Sequence, residues 1–435
     1  TYAGLERATT VLLAGFEPQD ESPIVFLRLR KAARAKRLAV YSLAALASRG
    51  LERMFGTLLP TVPGEEAAAL DALAGETGLD EAARAAAQAL RQPGAVILAG
   101  ERLAEVPGAL SAAARLAEAT GARLAWIPRR AGERGAIEAG ALPTLLPGGR
   151  AVTDQAARAE IARTWGVSSL PDQPGRDTGQ ILAAAAAREI GALLIAGVDP
   201  ADLPDPAAAL GALDATPFVV SLEQRVSAVT DRADVVLPVA PVAEKAGTFV
   251  NWEGRPGSFG PALPVPEART DLQVLGAVAD EMDVHLGLPD AAAAQRELDT
   301  LVPAVVDVAP SAAAATADAG RTSRLARAPQ GPGQVTLATW HNLLDAGRMQ
   351  DGEPNLAGTA RAAVAMMSAA TAEQVGVGDG GKVTVATERG AITVPAQVAD
   401  MPDRVVWLPT NSAGCAVRAG LGAGHGSPVT LRSAE

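Results

Sequence analysis

The sequence predicts an α/β fold of Rossmann-like parallel-sheet layers followed by a small C-terminal β-barrel domain. Three observations carry this. Three short apolar runs end in glycine: Val11-Leu12-Leu13-Ala14-Gly15, Val96-Ile97-Leu98-Ala99-Gly100 and Leu193-Leu194-Ile195-Ala196-Gly197. Continuous apolarity of this kind suits strands covered on both faces of a parallel sheet. Two of the runs continue alike, as Gly15-Phe16-Glu17-Pro18-Gln19-Asp20 and Gly197-Val198-Asp199-Pro200-Ala201-Asp202, which marks an internal repeat of a βα unit. Near the C-terminus the period changes to strict alternation in Lys382-Val383-Thr384-Val385-Ala386-Thr387 and Ala391-Ile392-Thr393-Val394, the signature of half-buried strands.

The elements follow in order. After the first turn, Ile24 to Arg37 carries apolar residues at 24, 25, 27, 29 and 32 and suits a crossover helix, with Leu38 to Tyr41 as the next strand. Residues 65–91 and 108–120 read as Ala-rich helices, and Arg123 to Ile127 as a strand. After the second turn come a helix over 207–213, a strand from Phe218 to Ser221 and a strand from Asp234 to Leu237. Alternating strands and helices imply right-handed crossovers in a mainly parallel sheet. Residues 270–287 read as one more amphipathic helix, with Leu272, Leu275, Val278 and Met282 on one side. From 289 to 333 the chain is rich in Ala, Pro, Ser and Gly and reads as a linker or an irregular crossing. In the last region a short helix from Ser368 to Val375 precedes the alternating strands, Glu388-Arg389-Gly390 turns between them, and Arg404 to Leu408 adds a further strand. The expected division is 1–288 (subdivided near 65–180 and 190–288), a linker over 289–333, and a barrel over 334–435.

Composition narrows the function. The 435 residues allow two or three domains. A net charge of −11 argues against a general nucleic-acid binder, which must neutralise phosphates with basic surface. No run approaches the ~18 apolar residues of a membrane span, so no direct span is expected. The single cysteine, Cys415, cannot hold an iron–sulfur cluster, an internal disulfide or a cysteine-based zinc site. His285, His341 and His425 lie far apart in sequence, so a local metal site is not expected. The chain begins Thr1-Tyr2-Ala3 without a methionine and is expected to be a segment of a longer polypeptide.

The individual motifs favour structure over chemistry. Gly376 to Gly381 matches G-x-G-x-x-G, but it follows a helix and opens a strand, the reverse of the dinucleotide fingerprint; a helix cap and tight turn are expected. The basic run Arg28, Arg30, Lys31, Arg34, Lys36 and Arg37 is either the solvated face of a helix or a docking face for another subunit. His341 is expected to be a hydrogen-bonded structural residue and Cys415 an inert thiol. Glu17 and Asp199 stand where a parallel sheet would receive a pyrophosphate, which wants backbone N–H groups and a neutral or basic rim. Two carboxylates about 4 Å from phosphate charge would each cost about 1 kcal/mol even in water, so both acids are expected to cap the following helical turns.

One stretch identifies a family. Thr230-Asp231-Arg232-Ala233-Asp234-Val235-Val236-Leu237-Pro238, then the polar loop Glu244 to Arg255 with Gly247, Thr248, Asn251, Glu253 and Gly254, resembles the "ADVVLP…E..GT..N.EGR" segment of the molybdopterin oxidoreductase superfamily. Ala372 to Val385, followed by Arg389-Gly390, resembles that superfamily's dinucleotide-binding barrel. Members that hold the cofactor carry G-x-N-P after a strand; here the Asn position is Glu17 and Asp199. Gly15 to Ile24 and His341 to Met349 resemble, within the superfamily, the G-subunit family of bacterial NADH-quinone oxidoreductase (respiratory complex I). That resemblance implies a cofactor-free scaffold region, with no catalytic, cofactor-binding or metal-ligating residue in this chain. It implies that 2Fe-2S and 4Fe-4S clusters are held by residues N-terminal to it, and that electrons pass from NADH through FMN and clusters to quinone. The implied partners are the other peripheral-arm subunits, including the NADH/FMN-binding subunit, on the cytoplasmic side of the bacterial membrane. The rival expectations are a formate-dehydrogenase-like catalytic subunit with molybdenum, and a free-standing assembly or adaptor protein.

Overall fold

The computed structural model describes residues 1–263, 265, 267–301, 331 and 333–434. It divides into two compact units, one of residues 1–129 with 309–435 and the other of residues 130–308.

The first unit opens with a five-stranded parallel sheet: β1 (Thr10–Ala14), β2 (Ala39–Ala44), β3 (Thr57–Pro60), β4 (Ala95–Ala99) and β5 (Arg123–Trp126), in the order β3-β2-β1-β4-β5. The connecting helices are α1 (Tyr2–Arg7), α2 (Pro18–Glu21), α3 (Pro23–Arg34), α4 (Arg49–Arg53), α5 (Glu66–Gly75), α6 (Glu81–Leu90) and α7 (Ala109–Thr120). Leu12, Ala14 and Ile97 of the sheet share one core with Leu70 and Leu73 of α5, Ala86 and Leu90 of α6, and Ala109 and Leu116 of α7. The apolar runs at 11–15 and 96–100 are therefore buried strands, as their composition predicts.

Two details depart from the sequence-based expectation. The helix expected over 65–91 is two helices, because Glu76 takes a left-handed turn (φ +53°) after Gly75. Ile24 and Leu27, counted toward the inner face of α3, are 51% and 52% exposed, while Val25, Phe26 and Leu29 are buried. The basic run lies outside: Arg28, Lys31, Arg34, Lys36 and Arg37 are exposed and Arg30 is half-buried.

In the second unit, short strands β6 (Leu145–Leu146) and β7 (Arg150–Ala151) pair antiparallel. A three-stranded parallel sheet, order β10-β9-β8, joins β8 (Leu193–Ala196), β9 (Val219–Glu223) and β10 (Val235–Pro238). Thus β8 repeats the run that ends at Gly197, but it is half-exposed, with Leu194 52% exposed. The helix Asp271–Glu281 stops six residues before the expected end, at Met282 and the left-handed Asp283. The polar loop contains a hairpin not foreseen from sequence, β11 (Gly247–Val250) against β12 (Pro256–Phe259). Within the stretch expected to be a linker, Ala291–Leu301 is a helix, which corrects that part; residues 302–330 and 332 lie outside the described residues.

The chain then returns to the first unit as a closed barrel of β13 (Gln334–Trp340), β14 (Ala365–Met367), β15 (Lys382–Ala386), β16 (Ala391–Val398), β17 (Val405–Pro409) and, after the small pair β18 (Asn411–Ser412) and β19 (Cys415–Ala416), β20 (Pro428–Ser433). Val383, Val385, Ile392, Val394 and Ala396 alternate inward as the sequence pattern requires. Closure depends on β13 pairing with both β17 and β20. The helix Ala369–Val375 is capped by Ser368 and ends at Gly376 (φ +73°), so the glycine cluster is a helix cap and turn.

The barrel seats on the sheet of its own unit. Ala45 and Leu46, after β2, share a core with Ala338, Trp340, Met401, Val405 and Trp407. Arg418 pairs with Glu105 at 2.7 Å, and His425 Nε2 lies 2.7 Å from Glu66 Oε1 with both side chains 7% exposed. Burial alone would raise the Glu66 carboxyl, but the His425 hydrogen bond and charge outweigh it and hold it below the usual carboxylate range.

Candidate functional site

The strand order turns back between β1 and β4, and an open parallel sheet receives ligands in the crevice beyond such a switch point. Here that crevice is closed. β1 ends at Gly15, whose left-handed φ of +57° swings the chain over the sheet; a Cβ there would lie 2.7 Å from the Leu103 backbone nitrogen. A Cβ on Gly100, at the end of β4, would collide with the Gly15 carbonyl. The two turns are in backbone contact, with Phe16 and Leu103 buried between the elements.

Three carboxylates fill the remaining space. Glu17 is the N-cap of α2: its Oε1 accepts from the Gln19 N–H at 3.2 Å, while its own N–H donates to Glu21 Oε2 at 2.5 Å. A Cβ on Gly50 would strike Glu17 Oε1, so α4 approaches this closely only because its first turn carries glycine. Burial pushes the Glu17 carboxyl up to about 7; the Ser48 hydrogen bond opposes the shift and the neighbouring Asp20 and Glu21 add to it. Glu21 is raised by burial despite Arg102, whose Nε lies 3.6 Å from Glu21 Oε1. Asp20 is raised by burial despite Arg361 at 3.5 Å, and its Oδ1 has no hydrogen-bond partner among the described residues.

The barrel supplies the lid. The Arg102 guanidinium lies 4.9 Å from the Trp340 ring centroid, and Trp340 packs on Trp407 at 4.8 Å. His341 Nδ1 lies 2.7 Å from Asp345 Oδ2, the structural role expected of it. Burial would raise Asp345, but the His341 and Gly347 hydrogen bonds hold it below the usual range. Arg129 pairs with Glu101 at 2.6 Å.

The second repeat turn is built alike. Asp199 Oδ1 accepts from the Ala201 N–H at 3.0 Å and caps the short turn Pro200–Asp202. Both acids are thus helix caps. The residues present do not fit a pyrophosphate: its binding N–H groups already serve carboxylates of the chain itself, and the surroundings are acidic.

The polar loop of the second unit closes on itself. Asn251 Oδ1 accepts from the N–H groups of Glu253 and Arg255 at 3.0 and 2.9 Å, and Arg255 Nε lies 3.7 Å from Glu253 Oε2. Phe249 stacks on Phe259 at 5.0 Å, and a Cβ on Gly247 would lie 2.6 Å from that second ring. Glu253 and Arg255 thus pair within the hairpin. Cys415 is buried and donates to the Pro409 carbonyl at 3.4 Å, and burial pushes its thiol up to about 11. Among the described residues no group of three or more candidate ligands could hold a metal ion, and no helix is long and apolar enough to cross a membrane. The buried cluster at Asp20 and Glu21 and the His425–Glu66 pair were not singled out from sequence; only the acidic spacing after Gly15 hinted at the first.

Comparison with known proteins agrees with this architecture. The molybdopterin oxidoreductase family model matches residues 1–281. The chain belongs to the molybdopterin oxidoreductase family. The molydopterin dinucleotide binding domain model matches residues 336–430, which covers the closed barrel. Among curated proteins, the chain is similar to the NADH-quinone oxidoreductase G subunit of Mycobacterium tuberculosis, 57% identical over 434 residues, which are 99% of this chain and 52% of that protein. It is 54% identical to the G subunit of Streptomyces coelicolor over 438 residues, 99% of this chain and 51% of that one. A putative formate dehydrogenase of Bacillus subtilis is 34% identical over 154 residues, 35% of this chain and 16% of its own length. The chain spans about half the length of the first curated relatives it matches. Acetylene hydratase from Pelobacter acetylenicus shares the fold at a TM-score of 0.62 and 14% identity, covering 100% of this chain and 81% of that one.

Proposed function

We propose that this chain is the cofactor-free scaffold region of the G subunit of a proton-translocating NADH:quinone oxidoreductase. The identity of 57% across 99% of the chain to G-subunit relatives is the observation that carries this. The switch-point crevice supports the same reading: it is filled by Glu17, Asp20, Glu21, Arg102 and Trp340, which leaves no rim suited to an anionic cofactor. No residue here is assigned a catalytic, cofactor-binding or metal-ligating role. The 2Fe-2S and 4Fe-4S clusters of the whole subunit would be held by residues outside this chain, which has one buried thiol. The partners are peripheral-arm subunits, including the one that binds NADH and FMN, at the cytoplasmic face of the membrane. Residues 1–288 and 334–435 would be the two inherited domains, joined through 289–333, a division supported by the matched ranges 1–281 and 336–430.

The test is metal analysis of the full-length protein with native electrophoresis. The expected result is iron without molybdenum or tungsten, in a band that carries NADH dehydrogenase activity. Stoichiometric molybdenum or tungsten would instead establish a formate-dehydrogenase-like catalytic subunit. Migration only as a small species away from that activity would favour a free-standing adaptor.

A further inference from the structure

Phe55 breaks two local rules at once. It is 74% exposed, and its backbone is left-handed at φ +55°. It stands just past α4, in the turn where helices usually place glycine: Phe55 N–H bonds Glu52 O and Gly56 N–H bonds Leu51 O, both at 3.0 Å. That conformation opposes a bulky side chain, and an exposed ring returns little burial. Helix α3 ends in the same way, with Lys36 at φ +54° and Arg37 N–H bonding Ala32 O at 3.2 Å.

The topology brings these two turns together. Right-handed crossovers through β1, β2 and β3 put α3 and α4 side by side on one face, with both C-termini at the amino edge of the sheet. Neighbouring helix axes lie about 10 Å apart. The parallel register starts at Tyr41 and Thr57, four residues after Arg37 and two after Phe55. Arg34, Lys36 and Arg37 are exposed, and none has an ion pair among the described residues. Arg28 and Lys31, earlier on α3, are both paired to Glu6. On a chain of net charge −11, these three unpaired cations at the end of α3 and on the turn after it stand out beside the exposed ring that follows α4.

We propose that this edge is a docking surface for an acidic face of another protein subunit, with Phe55 as the anchor and Arg34, Lys36 and Arg37 as its charge complement. Aromatic and arginine side chains dominate interface energetics, and complementary charge steers the encounter. The proposal rests on the assembly reading above and adds which edge of the chain meets a partner, and with what chemistry.

Phe55→Gly separates docking from folding, because glycine relaxes the left-handed position while removing the anchor. In the full-length protein its melting temperature should hold or rise, while the fraction recovered in the complex falls at least about tenfold. The triple variant Arg34→Glu, Lys36→Glu, Arg37→Glu should lose assembly to a similar degree, and Phe55→Tyr should keep it. With p-benzoylphenylalanine at position 55, irradiation of the assembled complex should cross-link an Asp/Glu-rich peptide of a different subunit. Normal assembly of Phe55→Gly, or cross-linking to lipid or to a second copy of this chain, overturns the proposal. If the wild-type chain never migrates with NADH dehydrogenase activity, the assembly reading fails; the docking proposal then stands or falls on whether the cross-link reaches an acidic partner.

Discussion

Glu17→Gln tests whether the closed crevice holds a proton. The Glu17 carboxyl is buried and raised from an ordinary 4.5 to about 7. Below about pH 4.5 the folded and unfolded chains both carry the proton, and the site is neutral to stability. As pH rises toward 7 the unfolded chain releases the proton and the folded one keeps it, so stability falls. A tenfold difference in proton affinity between the two states is worth about 1.4 kcal/mol, so the rise to about 7 gives a loss of about 3 kcal/mol, complete above the folded pKa. Glutamine keeps an oxygen for the Gln19 N–H and cannot ionise. Relative to wild type, Glu17→Gln should therefore gain about 3 kcal/mol between pH 4.5 and pH 8. The assay is urea unfolding followed by tryptophan fluorescence at both pH values, since Trp340 lies in the same lid. Parallel pH dependence in the two proteins would show that Glu17 ionises freely and that the buried-cap account is wrong.

Glu17→Asn, which restores the asparagine of cofactor-binding relatives, should leave NADH-driven quinone reduction nearly unchanged in membranes; a large loss in a variant that still assembles would contradict a cofactor-free crevice. Gly100→Ala forces a Cβ onto the Gly15 carbonyl and should destabilise by about 1–3 kcal/mol or more, read as a lowered melting temperature; a neutral result would mean the two turns can separate. Cys415, buried with its thiol at about 11, is thiolate in only about one part per thousand at pH 8 and should resist iodoacetamide until the chain is denatured; rapid labelling of the native protein would contradict its burial.

The strands at 11–15 and 96–100 were legible because continuous apolarity and a terminal glycine are local properties of a strand buried on both faces. The capping roles of Glu17 and Asp199 were legible for the same reason, since a cap involves residues two positions apart. The hairpin β11–β12 was not, because Gly247 and Gly257 dilute the alternation that marks a strand. The exposure of Ile24 and Leu27 was not either: on a twelve-residue helix, periodicity leaves the width of the buried stripe undetermined.

By itself the sequence determined the βα repeat, the alternating barrel strands, the acidic replacement in both turns and the family wording of the Thr230 to Arg255 loop. All are carried by residues within a few positions of one another. Only the tertiary structure decided the closure of the barrel through β13 and the pairing of His425 with Glu66 across 359 positions. It also decided that Trp340 and Arg361, from the other end of the chain, reach the buried Asp20. The physical reason is desolvation: a carboxylate's chemistry is set by what excludes water from it, and here those groups come from the other end of the chain.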